Sequence, residues 1–215
     1  ITDHTALEIG ARAEYTRYKY DNLANDGQSG RFIRTGDRTD DYFTVTPKAS
    51  LTHALTDTTN LYVRAARGSR APQVTDLYSA QQNQVPGQAN VEILDSLEAG
   101  WKFGQSGLTV EATAFTMWKE NFFFRNANGF NVVNGKTRHS GIEAGFEWTV
   151  SPKFTLSGDG TVARHTYDFT EIVGSTANDI IDGNRVDTAP DTLDVIDPKV
   201  LCMPLADSLK LHDIL

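Results

Sequence analysis

In seven separate segments of this 215-residue sequence every second side chain is apolar, and no other feature limits the fold so tightly. Leu7, Ile9, Ala11, Ala13 and Tyr15 alternate with Glu8, Gly10, Arg12, Glu14 and Thr16. Phe43, Val45, Pro47, Ala49 and Leu51 repeat the pattern, as do Leu61, Val63 and Ala65. Leu97, Ala99, Trp101 and Phe103 form the fourth set. Leu108, Val110, Ala112 and Ala114 form the fifth, whose parity slips near Phe115 and Met117, as at a β-bulge. Ile142, Ala144, Phe146, Trp148 and Val150 are the sixth, and Phe154, Leu156 and Val162 the seventh. Successive Cβ atoms of an extended chain point to opposite sides, so this period builds strands with one apolar and one polar face. A helical repeat fits none of these segments as well.

The connections carry a second pattern. "DNLANDGQSGRFIRTGDRTD" follows the first segment, the tight "TDTTN" follows the second, and a long stretch over residues 71–90 follows the third. Then come the short "GQSG", a loop at 126–134, the short "SPK" and a polar stretch over 170–184. Long and short connections alternate, so all long loops gather at one end of the hairpins. That arrangement predicts an all-β, antiparallel up-and-down transmembrane β-barrel, with short turns on one side of a membrane and long loops on the other. Aromatic residues are expected in two girdles: Trp101, Phe103, Trp148 and Phe154 beside the short turns, and Tyr15, Tyr18, Tyr20, Phe122, Phe123, Tyr167 and Phe169 toward the long loops. A soluble antiparallel sandwich also alternates and stays open as the second reading.

Composition fits either. The chain is 39% hydrophobic, its mean hydropathy is −0.39, and no apolar run reaches the ~18–20 residues of a membrane helix. A membrane barrel escapes that test, because its apolar surface is hidden in alternate residues. The net charge of −8 argues against a nucleic-acid partner. Cys202 is the single cysteine, so no internal disulfide is available. Ile1 opens directly into a patterned segment, which reads as a piece cut from something longer.

Gly135-Lys136-Thr137 ends like a phosphate-binding loop, but the four-residue spacing would need a glycine at Asn134, and an alternating segment follows where a helix is required. The histidines at 4, 53, 139, 165 and 212 show no ligand spacing, so no metal site and no cofactor are expected. Asp179, Asp182, Asn184 and Asp187 lack a calcium-loop register. No nucleophile–base motif is present, and an enzyme is not expected.

Several segments resemble the barrel of TonB-dependent outer-membrane receptors. "NLYVRAARGSRAPQVTDLY", residues 60–78, is similar to the family's aromatic-rich entry to an extracellular loop, with Gly68, Arg70, Ala71, Pro72, Leu77 and Tyr78 matching and Ser69 where an aromatic is usual. "EILDSLEAGWKFG" resembles the returning strand, with Glu98 and Gly100 as the matching pair. "NGKTRHSGIEAGFEWTVSPKFTLSGDGTVA" looks like a family strand, a tight turn and the next strand, which makes Gly135 and Gly141 barrel glycines. "LEIGARAEYTRYKYDN" and "FTVTPKASLTHALTDTTNLYV" fit the same order.

The resemblance implies a location in the bacterial outer membrane, contact with its lipid, and import of a scarce small-molecule nutrient such as a ferric siderophore. It implies energy from the TonB system through an N-terminal part not present here. About seven or eight strands are too few for the family's ~22-stranded barrel, so residues 1–196 are expected to be a partial barrel. Residues 197–215 are expected to be an atypical tail, truncated or out of frame, with Leu201, Leu205, Leu209 and Ile214 at helical spacing. Arg64 and Arg70, on the inward parity, and Tyr78, in the loop above, are the candidate ligand-binding residues, set against a purely loop-ordering role for Arg70 and Tyr78. A passive porin or adhesin barrel and a soluble sandwich binding module are the alternatives.

Overall fold

A computed structural model describes residues 4–24, 26–30, 32–78, 80–81, 84–125, 131–172, 179–186 and 200–201. The strands are β1 (Thr5–Tyr20), β2 (Gly27–Ser29), β3 (Phe32–Arg34), β4 (Arg38–Thr56) and β5 (Thr59–Arg70). A short helix, α1 (Val74–Tyr78), leads to β6 (Glu92–Gln105), β7 (Leu108–Arg125), β8 (Asn131–Ser151), β9 (Phe154–Tyr167) and β10 (Val200–Leu201). One antiparallel sheet takes them in the order β1-β4-β5-β6-β7-β8-β9-β10, and β2 and β3 form a small hairpin within the first long loop. All seven alternating segments are strands of this sheet. Each hairpin neighbour in sequence is a neighbour in space, as an up-and-down meander requires.

The long strands run 12 to 21 residues, more than the ~9–11 that a tilted strand needs to cross a bilayer. The turns between β4 and β5, β6 and β7, and β8 and β9 are tight, two residues each at 57–58, 106–107 and 152–153. At the middle one Ser106 and Gly107 both take positive φ, 51° and 81°, the geometry that matches the twist of adjoining strands. The ladder also climbs. Ala49 on β4 faces Ala65, then Leu97, Thr116, Ser140 and finally Arg164 near the long-loop end of β9. Such a stagger is what strand tilt in a barrel wall produces.

One face of the sheet is apolar and, among the described residues, uncovered. Ile9 is 73% exposed and Phe43 69%, and Val45, Leu51, Val63, Leu97, Ile142, Trp148 and Val162 are exposed beside them on the same face. Soluble monomers rarely show contiguous apolar patches beyond a few hundred Å². Among the described residues no second layer packs on this face, as the wall of a barrel requires. The few buried apolar residues, Leu77, Tyr78, Ala80, Ala89, Val132, Ala163, Tyr167 and Ile180, belong to the loops and the strand ends that adjoin them.

Three expectations need correction. The fifth segment does not slip at Phe115 and Met117, since β6 and β7 pair without interruption from Gln105↔Leu108 to Ile93↔Glu120. The two residues keep the polar-side parity and simply place apolar groups there, the Phe115 ring lying against Gly141, where a Cβ would be 2.9 Å from Cζ. The irregularity lies further on, between Lys119 and Phe124, with Asn121 at φ 56° and its side-chain amide donating to the Val91 carbonyl at 2.9 Å.

The upper girdle is also different. Tyr18, Tyr20 and Tyr167 have the polar-side parity and turn inward under the loops, whereas Tyr15 and Trp118 stand on the apolar face. The bulge brings Phe122 opposite Gly135, so it joins the same inward cluster as Phe124 and Phe169. Finally, Leu201 pairs with Thr155 in β10 instead of opening a helix; Leu205, Leu209, Ile214 and Cys202 lie outside the described residues, as does the expected boundary at 196.

Candidate functional site

The polar face carries a connected wall of charge and hydroxyl groups. Ser50, Asn60, Tyr62, Arg64, Glu98 and Glu111 help line an open groove of about 500 Å³ on it. Strand register puts these groups side by side: Ser50 opposite Arg64, Arg64 opposite Glu98, and Lys102 opposite Glu111. Directly opposed cross-strand side chains are close enough to pair. Lys102 Nζ is 3.0 Å from Glu111 and 5.4 Å from the centre of the Tyr62 ring. The Tyr62 hydroxyl is 2.6 Å from Thr113 Oγ1 and donates more weakly to Glu111 at 3.4 Å. Arg64 is 4.0 Å from Glu98, with half of its side chain open to the groove.

Gly100 makes this arrangement possible. A Cβ there would lie 2.3 Å from Tyr62 Cζ, so the ring can cross the strand only where the side chain is a hydrogen. Gly135 and Gly141 are wall glycines for the same reason: a Cβ would meet the Phe122 carbonyl at 2.8 Å and the Val162 carbonyl at 2.4 Å. Gly135, Lys136 and Thr137 lie within β8 with no helix after them, so they cradle no phosphate.

Above the groove, the connection between β5 and β6 folds back over the inward face. Leu77 is fully buried and Tyr78 is 9% exposed, packed with Ala89 against Tyr18, Tyr20 and Tyr42. Tyr78 stacks on Tyr20 at 4.5 Å and donates its hydroxyl to Asp40 Oδ2 at 2.8 Å. Arg38 grips the same carboxylate through Nε at 2.8 Å and Nη2 at 2.5 Å, and donates to the Pro86 carbonyl at 2.6 Å. Gly87 has φ 78° and lies so close to the Arg38 guanidinium that a Cβ would be 2.0 Å from Nη2. The hairpin β2–β3 joins in: Ile33 N donates to Ala80 O at 2.8 Å.

These groups stand past the long-loop end of the apolar band. The Arg38 guanidinium holds the Asp40 carboxyl below its ordinary range, and burial, followed by the hydrogen bond to Asp40, pushes the Tyr78 hydroxyl well above its own. Both shifts favour the charged carboxylate and the protonated phenol, which is the bonded pair seen here.

The three sequence-predicted residues therefore part company. Arg64 lines the groove. Arg70 stands at the loop end of β5, 2.9 Å from Glu92, which Lys119 also reaches at 2.9 Å. Tyr78 is inside the loop cap. Sequence reasoning missed Arg38 and Asp40, whose spacing of two on one strand places both on the inward side but does not say what they hold.

The wall matches the family model described as TonB dependent receptor-like, beta-barrel, over residues 1–194. The chain belongs to the TonB-dependent receptor β-barrel family. Members of this family are outer-membrane β-barrel proteins of Gram-negative bacteria, transport receptors and not enzymes. In a barrel of this family the polar face is the lumen side of the wall and the apolar face its outer side, where such barrels meet lipid. The ferric-catecholate import receptor Fiu from E. coli K12 shares the fold with TM-score 0.62 and 20% identity over 83% of this chain. The ferric yersiniabactin uptake receptor FyuA from Yersinia pestis gives 0.62 and 19% over 89%, and the siderophore receptor PiuA from Acinetobacter baumannii 0.59 and 18% over 84%. This chain spans only 28%, 28% and 26% of those three proteins, so it corresponds to about a quarter of each. No curated protein matches the chain.

Proposed function

We propose that this chain forms part of the wall of an outer-membrane receptor that binds a ferric siderophore or similar metal chelate from outside and imports it with energy from TonB. The observation that carries the reading is the asymmetry of the wall. Its lipid side is continuous and apolar, its lumen side is charged, and a folded loop stands over the lumen at the long-loop end. A passive pore gains nothing from a loop pinned by a buried tyrosine and a bidentate arginine–aspartate pair. A receptor gains a shaped outer vestibule. The named functions of Fiu, FyuA and PiuA support an iron chelate as the ligand class.

On this reading Arg64 meets the ligand or the part of the polypeptide that fills the barrel, because its guanidinium is only loosely held. Arg70 is a secondary contact, tied first to Glu92. Tyr78 holds the loop in place and leaves ligand contact to others. Energisation runs through a plug and a TonB-contacting segment elsewhere in the polypeptide, and the outer-membrane lipid covers the apolar face. The test is uptake of a ⁵⁵Fe-labelled tricatecholate by cells expressing the full receptor. Accumulation should require TonB and fall about tenfold with Arg64→Ala. Equal uptake without TonB, together with open-channel conductance in a planar bilayer, would instead establish a passive pore.

A further inference from the structure

The scattered histidines are not all scattered in space. His139 on β8 and His165 on β9 are direct ladder partners, and their Nδ1 atoms are 2.6 Å apart. Both project from the lumen side, as do Thr137 and Glu143 on β8, and both are partly buried. The row continues on the other side: Met117 of β7 is the ladder partner of His139 and lines the lumen groove. Two imidazoles and a thioether thus share one row on three adjacent strands, where directly opposed Cβ atoms are ~4.5–5.5 Å apart.

We propose that His139, His165 and Met117 form a copper-binding site on the lumen wall. The donor set carries the choice of metal. Imidazole suits several first-row metals, but a thioether is a soft ligand that selects Cu(I), and among divalent ions Cu(II) binds nitrogen donors most tightly. Hard ferric iron, which prefers oxygen, is disfavoured here.

The local bonding already prepares one ligand. His139 Nε2 is 2.9 Å from Thr137 Oγ1, and Thr137 is almost completely buried. With the Nε2 proton donated to that hydroxyl, Nδ1 is left with its lone pair, the orientation a metal ligand needs. His165 Nδ1 then donates to it. A copper ion takes the place of that shared proton, which passes through lumen water to His165 Nε2 so that both ligands stay neutral imidazoles, and the two nitrogens open to the ~3 Å that two bonds of ~2.0 Å to one ion require. Lys119, the next lumen-side residue along β7, is held by Glu92 at 2.9 Å, so its charge is balanced nearby. The remaining coordination position faces the lumen, where water or a passing ligand can occupy it.

This inference does not depend on which chelate the receptor imports. The test uses the full receptor in detergent micelles, with folding of each variant checked by its heat-modifiable gel band. One equivalent of Cu(II) should give an electron paramagnetic resonance spectrum with coupling to two nitrogens. The coupling should disappear in His139→Asn with His165→Asn, while His53→Ala, on the other face, should leave it intact. Under reducing conditions, Cu(I) affinity measured against a chromophoric chelator should fall about tenfold in Met117→Leu. Copper bound with unchanged affinity by the double histidine variant would overturn the site, and so would a wild-type spectrum lacking nitrogen coupling.

Discussion

The Tyr62 ring lies across Gly100, with Cζ 2.3 Å from the point a Cβ would occupy, and from there its hydroxyl reaches Thr113 at 2.6 Å, two strands away. One missing side chain thus lets a tyrosine tie three adjacent strands together on the lumen side. Gly100→Ala should displace the ring and cost about 1–3 kcal/mol, the usual range for overpacking. Tyr62→Phe should cost about 0.5–1.5 kcal/mol for the lost hydrogen bond. Because both act through one contact, Gly100→Ala in a Tyr62→Ala background should cost much less than alone. Urea unfolding in micelles would measure this cycle, and strict additivity would show that the ring does not depend on Gly100.

The loop over the lumen should hinge on Leu77 and Tyr78. Leu77→Ala removes a fully buried side chain, so it should destabilise the cap by about 2–5 kcal/mol. Tyr78→Phe loses a bond to a carboxylate and should cost about 1.5–3 kcal/mol. Hydrogen exchange should then rise across residues 71–91 while the β6–β7 ladder stays protected. Exchange rising equally in both would mean that the cap and the wall are one unit.

That cap should also respond to acid, in a direction fixed by Asp40. Its carboxyl titrates lower in the folded protein than in the unfolded chain, chiefly through the Arg38 hydrogen bonds. The stabilisation is therefore present above the ordinary aspartate range of about 4 and is lost as pH falls through the lower, folded value. Protease cleavage within 71–91 should be flat from about pH 8 to 5 and increase only below about 4. Asp40→Asn should cleave faster throughout and remove most of that rise. A rise centred near pH 6.5 would point to histidine instead.

How far the sequence could be read depends on the range of the interactions. Alternation is a property of neighbouring residues, so the lipid side of all seven long strands was legible from parity alone, and so was the gathering of long loops at one end. Tyr18 and Tyr20 sit near a loop, as girdle residues do, but their even numbers oppose the odd apolar run from Leu7 to Tyr15 and already aim them inward. Phe115 and Met117 mimic a bulge because a lumen face is ordinarily polar, yet Gly141 on the neighbouring strand makes room for the Phe115 ring. The Asp40–Tyr78 bond and the His139–His165 pair rest on register and loop packing between residues 38 and 26 positions apart. No local pattern encodes those.

Charge should be tolerated on one parity and not on the other. Ala144 on the lipid side and Glu143 on the lumen side are neighbours on β8, and Glu143 is exposed and lines the open lumen groove. Ala144→Lys should destabilise the folded barrel by about 2–4 kcal/mol, the mid-bilayer penalty for a lysine. Glu143→Lys should cost under about 0.5 kcal/mol, the usual range for an exposed side chain. Guanidinium unfolding in lipid vesicles compares the two, and equal penalties would remove the distinction between the faces.

The most direct measurement is of solvent identity, strand by strand. Nitroxide labels placed singly at Ala49, Ala99 and Ala144 of the receptor in lipid vesicles should collide often with oxygen and rarely with a water-soluble nickel chelate. Labels at Ser50, Glu98 and Glu143, one residue away on the same strands, should show the reverse or the immobility of a filled lumen. If the three alanine positions are shielded from oxygen and nickel alike, a second protein layer covers that face and the membrane wall described here does not exist.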